Sequence, residues 1–125
     1  KDFSDSKEDI IKNAIELYDM KRPLGHMNRI EIIKGNAVTK IPEYVKNHPE
    51  LTCALLYLDF DIYKPTKVAL ESLLPLVAKG GIVAFDEFNY DKFSGETLAA
   101  KEVLNINDRK LKRFNFSPFI AYIEM

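Results

Sequence analysis

Ala54-Leu55-Leu56-Tyr57-Leu58-Asp59-Phe60-Asp61-Ile62-Tyr63-Lys64-Pro65-Thr66 is an apolar run that ends in two aspartates. The pattern returns in Gly80-Gly81-Ile82-Val83-Ala84-Phe85-Asp86-Glu87, which ends in a second acidic pair. Both runs are continuous in hydrophobicity, the pattern of strands buried on both faces of a parallel sheet. Thr66 to Lys79, between them, reads as a helix. Strand, helix, strand is a βαβ unit, so the two strands should run parallel with their C-terminal ends on one edge. Asp59, Asp61, Asp86 and Glu87 then gather on that edge, where open α/β sheets bind ligands. Carboxylates held together repel unless a cation or a basic partner compensates. The residues therefore point to a hard divalent metal, to acid–base chemistry, or to both.

The totals narrow the class. A chain of 125 residues is one domain with room for one core. Its 46% hydrophobic and 30% charged content is that of a globular domain, and a net charge of −1 gives no general attraction to nucleic acid or anionic membrane. Cys53 is the one cysteine, so it forms no internal disulfide and reads as a small strand residue. No apolar run reaches membrane-spanning length and the first residues lack a signal-peptide pattern, which makes a cytoplasmic setting the expectation.

Lys1 to Ser6 read as a loose start, with Ser6 capping a helix from Lys7 to Met20 and Asp9 at the capping-box position. Ile10, Ile11, Ala14, Ile15, Leu17 and Tyr18 give that helix an apolar face. Arg22-Pro23-Leu24-Gly25 ends it. Arg29 to Lys34 reads as a strand, Ala37 to Asn47 as a short helix containing Pro42, and His48-Pro49-Glu50 as a turn. After the βαβ unit come a polar and aromatic loop, a helix from Gly95 to Asn105, and a hairpin of Leu111–Phe116 and Phe119–Glu124 around Ser117-Pro118. The layout is α/β, mostly parallel, with an antiparallel end.

Leu58-Asp59-Phe60-Asp61-Ile62-Tyr63-Lys64-Pro65-Thr66 and Gly80 to Phe88 resemble the second half of a class I S-adenosylmethionine-dependent methyltransferase. More narrowly they resemble the macrocin O-methyltransferase family, which methylates sugar hydroxyls. That family carries aspartate–x–aspartate, then tyrosine–x–proline–threonine opening a helix, and a following strand that ends in acids. Ile33-Lys34-Gly35-Asn36-Ala37 resembles its segment for the adenine end of the cofactor, with Asn36 where aspartate is usual. The resemblance implies a partial Rossmann-like sheet, with Arg29–Lys34 as strand 3, Cys53–Phe60 as strand 4 and the hairpin as the reversed end of the order 3-2-1-4-5-7-6. Nothing matches the family's opening strand, glycine-rich loop and ribose-binding acid. Gly80-Gly81 closes a helix, so it is no nucleotide cradle. The chain thus resembles a C-terminal portion of the catalytic domain.

The resemblance also assigns roles. Asp59, Asp86 and Glu87 would hold Mg²⁺ or another hard divalent cation, since the site offers oxygen ligands without His or Cys. The alternative is that such acids cap helices or face solvent. Asp61 matches the family's general base; the alternative is an N-cap for the helix near Pro65. Gly35, Asn36 and Ala37 would bind S-adenosylmethionine, and Tyr63 and Lys64 would line a pocket for a sugar-like small-molecule hydroxyl. Phe85, Phe88, Tyr90 and Phe93 read either as an aromatic lid or as ordinary packing. His26 and His48 read as surface residues, and the run Arg109 to Arg113 as a solvated strand edge.

The expected activity is metal-assisted O-methyl transfer by a truncated enzyme; the alternatives are a non-catalytic remnant of the fold and a metal-dependent hydrolase, the latter weakened by the lack of a nearby His. Without the glycine loop the chain should bind S-adenosylmethionine weakly. With strands 1 and 2 missing, strand 4 would show a bare apolar edge, covered either by inward pairing of strand 3 or by a homo-oligomer joined edge to edge.

Overall fold

The computed structural model describes residues 3–125. Lys1 and Asp2, the beginning of the expected loose start, lie outside the described residues. Contacts divide the chain into two compact units, Lys1–Lys34 and Gly35–Met125, and each is taken by itself.

The first unit is built on one helix, α1, Phe3–Lys21. It begins before the expected Lys7, which puts Ser6 inside the helix and not at its N-cap. The apolar positions are helically spaced as expected, but Ile10, Ile11, Leu17 and Tyr18 are exposed. A single helix with an extended tail has no second layer of its own to bury against. The helix closes on Arg22, whose guanidinium donates to Asp19 at 2.5 Å and to the carbonyls of Leu24 at 3.0 Å and Met27. Gly25 is required there, because a Cβ would lie 1.8 Å from the Asp19 carbonyl oxygen. Glu8 accepts from Lys12 at 2.7 Å and Lys34 at 2.8 Å, and these ammonium groups hold its carboxyl down at about 2.

Residues 28–34 form no strand, which corrects the expectation for Arg29–Lys34. Its β-branched content suits a strand, but an extended segment becomes one only through a ladder partner. The expected strand 3 is therefore not formed, and no inward strand pairing involves it.

The second unit opens with α2, Ala37–Asn47, which runs through Pro42 and is capped by Asn36, whose Oδ1 accepts from the Val38 amide at 3.0 Å. Next come β1, Cys53–Leu58, α3, Tyr63–Leu73, and a 3₁₀ turn, Leu74–Leu76. Strand β2 is Val77–Phe85, longer than the expected Ile82–Phe85. Helix α4 spans Gly95–Val103. The closing hairpin is β3, Leu111–Arg113, with β4, Ala121–Glu124, joined by a longer loop than expected. The sheet order is β1-β2-β4-β3, parallel between β1 and β2 and antiparallel thereafter. It reproduces the 4-5-7-6 part of the order that the resemblance implies. Pairing of Leu58 with Phe85 ends the parallel ladder and sets Asp59 and Asp86 side by side on its C-terminal edge.

The core lies on one side of this sheet. Leu56, Leu58, Val83, Phe85, Ala121 and Ile123 face Ala69 and Leu70 of α3 and Ala99 and Ala100 of α4. On the opposite face Leu55 is 60% and Tyr57 47% exposed. Burial on both faces was expected; it needs helices on both faces, and the helices of this unit pack with one another and the sheet from one side. Ala84 is nonetheless buried on the open face, between its ladder neighbours Tyr57 and Tyr122. Because the two faces differ so much, Leu58→Ala should cost about 2–5 kcal/mol in denaturant unfolding, whereas Leu55→Ala should stay within about 0.5 kcal/mol.

Candidate active site at the strand ends

The carboxylates stand where the parallel ladder stops. The Asp86 amide donates to the Leu58 carbonyl at 3.0 Å, one residue beyond the strand, so the two chain ends leave the sheet tied together. Burial, then the Asp86 and Asp61 charges, push the Asp59 carboxyl above the usual aspartate range. Glu87 is pushed up by desolvation, then by Asp61, Asp86 and Asp59. The acids expected at one edge are thus close enough to act on one another. Oε2 of Glu87 is shielded from solvent and has no hydrogen-bond partner.

Among the described residues no group of three His, Cys, Asp or Glu side chains has the arrangement of a metal centre. Asp59, Asp86 and Glu87 are coupled electrostatically without forming a closed ligand set. Two observations account for this. Carboxylates without a cation repel, and Asp86 is engaged by the Tyr57 hydroxyl, which donates to its Oδ1. The donor chemistry still fits a hard cation: it is all oxygen, it carries excess negative charge, and it includes the orphaned Glu87 oxygen.

Asp61 sits in the left-handed region at φ 60°. It is not the N-cap of α3: that position is Ile62, and no side chain caps the helix. Aspartate tolerates this backbone better than most residues, and such conformations persist where surrounding structure fixes them. Here the fixing group is Glu96, which is fully buried. Its Oε1 accepts from the amides of Phe60 at 3.0 Å and Asp61 at 3.4 Å, and its Oε2 from the amide of Glu87 at 3.3 Å. Desolvation pushes its carboxyl up, against the pull of those amides. Sequence reasoning missed this residue. An acid in the first turn of a helix reads as a favourable partner for the helix dipole, and nothing local signals that it is buried.

The remaining expected residues divide. Tyr63 opens α3 and donates its hydroxyl to Glu102, which also receives Lys67, so it belongs to a link between α3 and α4. Lys64 is exposed in the same turn. Gly35 has φ 147° and Asn36 spends its side-chain oxygen on the cap of α2. Phe85 and Phe88 are buried against each other in the core, while Tyr90 packs on Phe93 and Phe119. His48 stacks on Tyr44 and contacts its carbonyl at 2.8 Å, as a structural residue. Arg113 does more than face solvent: it donates to the carbonyls of Phe88 and Pro118 and holds the hairpin loop to the loop after β2. Asn89, Tyr90, Asp91, Ser94 and Thr97 line an open cleft of about 280 Å³ in that second loop.

The Tyr57–Asp86 bond has a pH signature. Hydrogen bonding to Asp86 first, then desolvation, raise the Tyr57 hydroxyl to about 12. A group whose folded value is raised adds stability below its unfolded value, near 10, and loses it as pH climbs to the folded value. The wild-type chain should lose more stability than Tyr57→Phe between about pH 10 and 12. Difference ultraviolet titration of the two proteins should assign a phenol of about 12 to Tyr57. Equal stability profiles would contradict the bond.

No family model matches the chain, and no curated protein matches it either. Solved structures do. The chain is 32% identical to CalS11, a TDP-rhamnose 3'-O-methyltransferase of calicheamicin biosynthesis solved in its apo form, with a TM-score of 0.87 over 94% of this chain and 50% of that one. A second CalS11 structure matches with the same identity and TM-score over 46% of its length. MycE, from the mycinamycin pathway, was solved with Mg, SAH and mycinamycin VI; at 16% identity and a TM-score of 0.50 its likeness concerns the fold alone. The chain spans about half the length of the CalS11 structures it matches. In sheet order and in this likeness the chain has the fold of about half of a sugar O-methyltransferase structure, consistent with the C-terminal part of the class I S-adenosylmethionine-dependent methyltransferase fold.

Proposed function

We propose that this chain is the acceptor-activating half of a metal-assisted, S-adenosylmethionine-dependent O-methyltransferase for a sugar or similar small-molecule hydroxyl, of the macrocin O-methyltransferase type. The observation that carries the reading is the registered end of β1 and β2, where Asp59, Asp61, Asp86 and Glu87 act on one another. The likeness to CalS11, whose own acceptor is a sugar nucleotide, supports the substrate class. The reaction moves a methyl group from the cofactor sulfonium to the acceptor oxygen, while the hydroxyl proton leaves. Asp61 takes that proton, and its position on a fixed, left-handed backbone suits a base that must not move. Asp59, Asp86 and Glu87 would hold a hard divalent cation, which would supply orientation of neighbouring hydroxyls and a lowered pKa of the reacting one.

We assign Tyr63 and Lys64 to the acceptor, together with the cleft lined by Asn89, Tyr90, Asp91, Ser94 and Thr97. Gly35, Asn36 and Ala37 contribute the adenine end of the cofactor site, with the Asn36 amide group as the remaining donor beside a capped helix start. Strand β1 ends the sheet in the order β1-β2-β4-β3, its outer edge unpaired among the described residues, and we assign to that edge the pairing of a second copy.

Two measurements test the reading. Mn²⁺ titrated into the 125-residue chain should find one site that Asp59→Asn removes. In a chimera where this chain replaces the matching half of CalS11, Asp61→Asn should lower kcat for methyl transfer to TDP-rhamnose by about 10²–10⁴-fold. Asparagine accepts the same backbone, so folding is kept. A chain that binds no Mn²⁺, or an Asp61→Asn chimera at full rate, would sink the proposal.

A further inference from the structure

Glu96 is the one fully buried carboxylate among the described residues, and no step of the proposed chemistry uses it. Its surroundings are unusual in kind. Its hydrogen bonds come from backbone amides, and those amides belong to two different strand ends. Phe60 and Asp61 follow β1; Glu87 follows β2. These are the same short segments that carry Asp59, Asp61, Asp86 and Glu87. Besides the last rung of the ladder, the Asp86 amide on the Leu58 carbonyl, and the Tyr57 hydroxyl on Asp86, Glu96 ties these two segments together.

The approach of α4 to this place is built in. A Cβ on Gly95 would lie 2.4 Å from the Tyr63 nitrogen and 2.5 Å from the Asp61 carbonyl oxygen, so only glycine lets the first turn of α4 come this close. Next along the helix, Thr97 Oγ1 accepts from the Asn89 amide at 2.7 Å. The first turn of α4 thus clamps the loops after β1 and β2 by their backbones and leaves their side chains directed elsewhere. A merely structural acid would serve equally well as a hydrogen-bonded side chain on one loop. A carboxylate with two acceptor oxygens is needed to hold two loops at once, and bonds to an ionised acceptor are the stronger kind.

We infer that Glu96 is a positioning residue: by splitting its two oxygens between the β1 and β2 ends, it fixes the spacing of the candidate ligands Asp59, Asp86 and Glu87 and the backbone of Asp61. The metal-dependent part of this inference rests on the proposed function; the clamp itself does not. Groups that orient metal ligands without touching the metal typically change affinity by about 10–100-fold when replaced.

Glu96→Gln separates the cases, because it preserves size and offers one acceptor oxygen instead of two. Amide hydrogen exchange of the full chain, read by NMR, should show Phe60, Asp61 and Glu87 all protected in the wild type. In Glu96→Gln one loop should keep its protection and the other lose it, and Mn²⁺ affinity should fall about 10–100-fold while thermal unfolding remains cooperative. Protection of all three amides in Glu96→Gln, or unchanged Mn²⁺ affinity beside a wild type that binds, overturns the inference. Should wild type bind no Mn²⁺, the functional proposal falls and the clamp is judged on the exchange pattern alone. Should Glu96→Gln fail to fold, the wild-type amides decide: exchange at the rate of open loops overturns the clamp, and joint protection that Thr97→Ser leaves intact supports it.

Discussion

The parallel pairing of β1 with β2 is the constraint on which everything else in the second unit depends. Leu58 opposite Phe85 places both side chains in the core and turns the next residue of each strand to the edge. A slip of one residue would reverse the facing of every side chain in β1. It would bring Leu55 and Tyr57 into the core and drive Leu56 and Leu58 into water. The hydrophobic pattern that fills the core is therefore the same fact as the placement of Asp59 beside Asp86.

Gathering like charges is costly, and the structure manages that cost unevenly. Asp59 and Glu87 are both pushed toward the neutral form by their neighbours and by desolvation. Asp86 is offset by the Tyr57 hydroxyl. Glu96 is compensated differently, by amide dipoles from two loops, so that a buried negative charge is put to use in holding chain segments. An electropositive partner at the edge would relieve the first two acids, and Oε2 of Glu87 has no hydrogen-bond partner among the described residues.

The one-sided core is the other notable feature. The helices α3 and α4 cover one sheet face, and the second face keeps Leu55, Tyr57 and Ile82 exposed. The ladder still orders its strands as the class I fold does, because strand order follows from the connections within the chain that is present.

Local pattern in the sequence was enough for the βαβ unit, the acids at its strand ends, the helix opening at Gly95 and the antiparallel close. Each rests on neighbours in sequence: continuous apolar runs, a proline–threonine start, a crossover too short to do anything but return. Three things were decided only in three dimensions. Residues 28–34 have strand composition but no strand, because a ladder needs a partner and composition does not supply one. Leu55 and Leu56 read alike in sequence, yet one is exposed and the other buried, because the covering helices lie on one face. Glu96 is indistinguishable in sequence from an ordinary first-turn acid. Its role exists only because α4 returns across the ends of strands remote from it in the chain, and hydrogen bonds to remote amides leave no trace in local pattern.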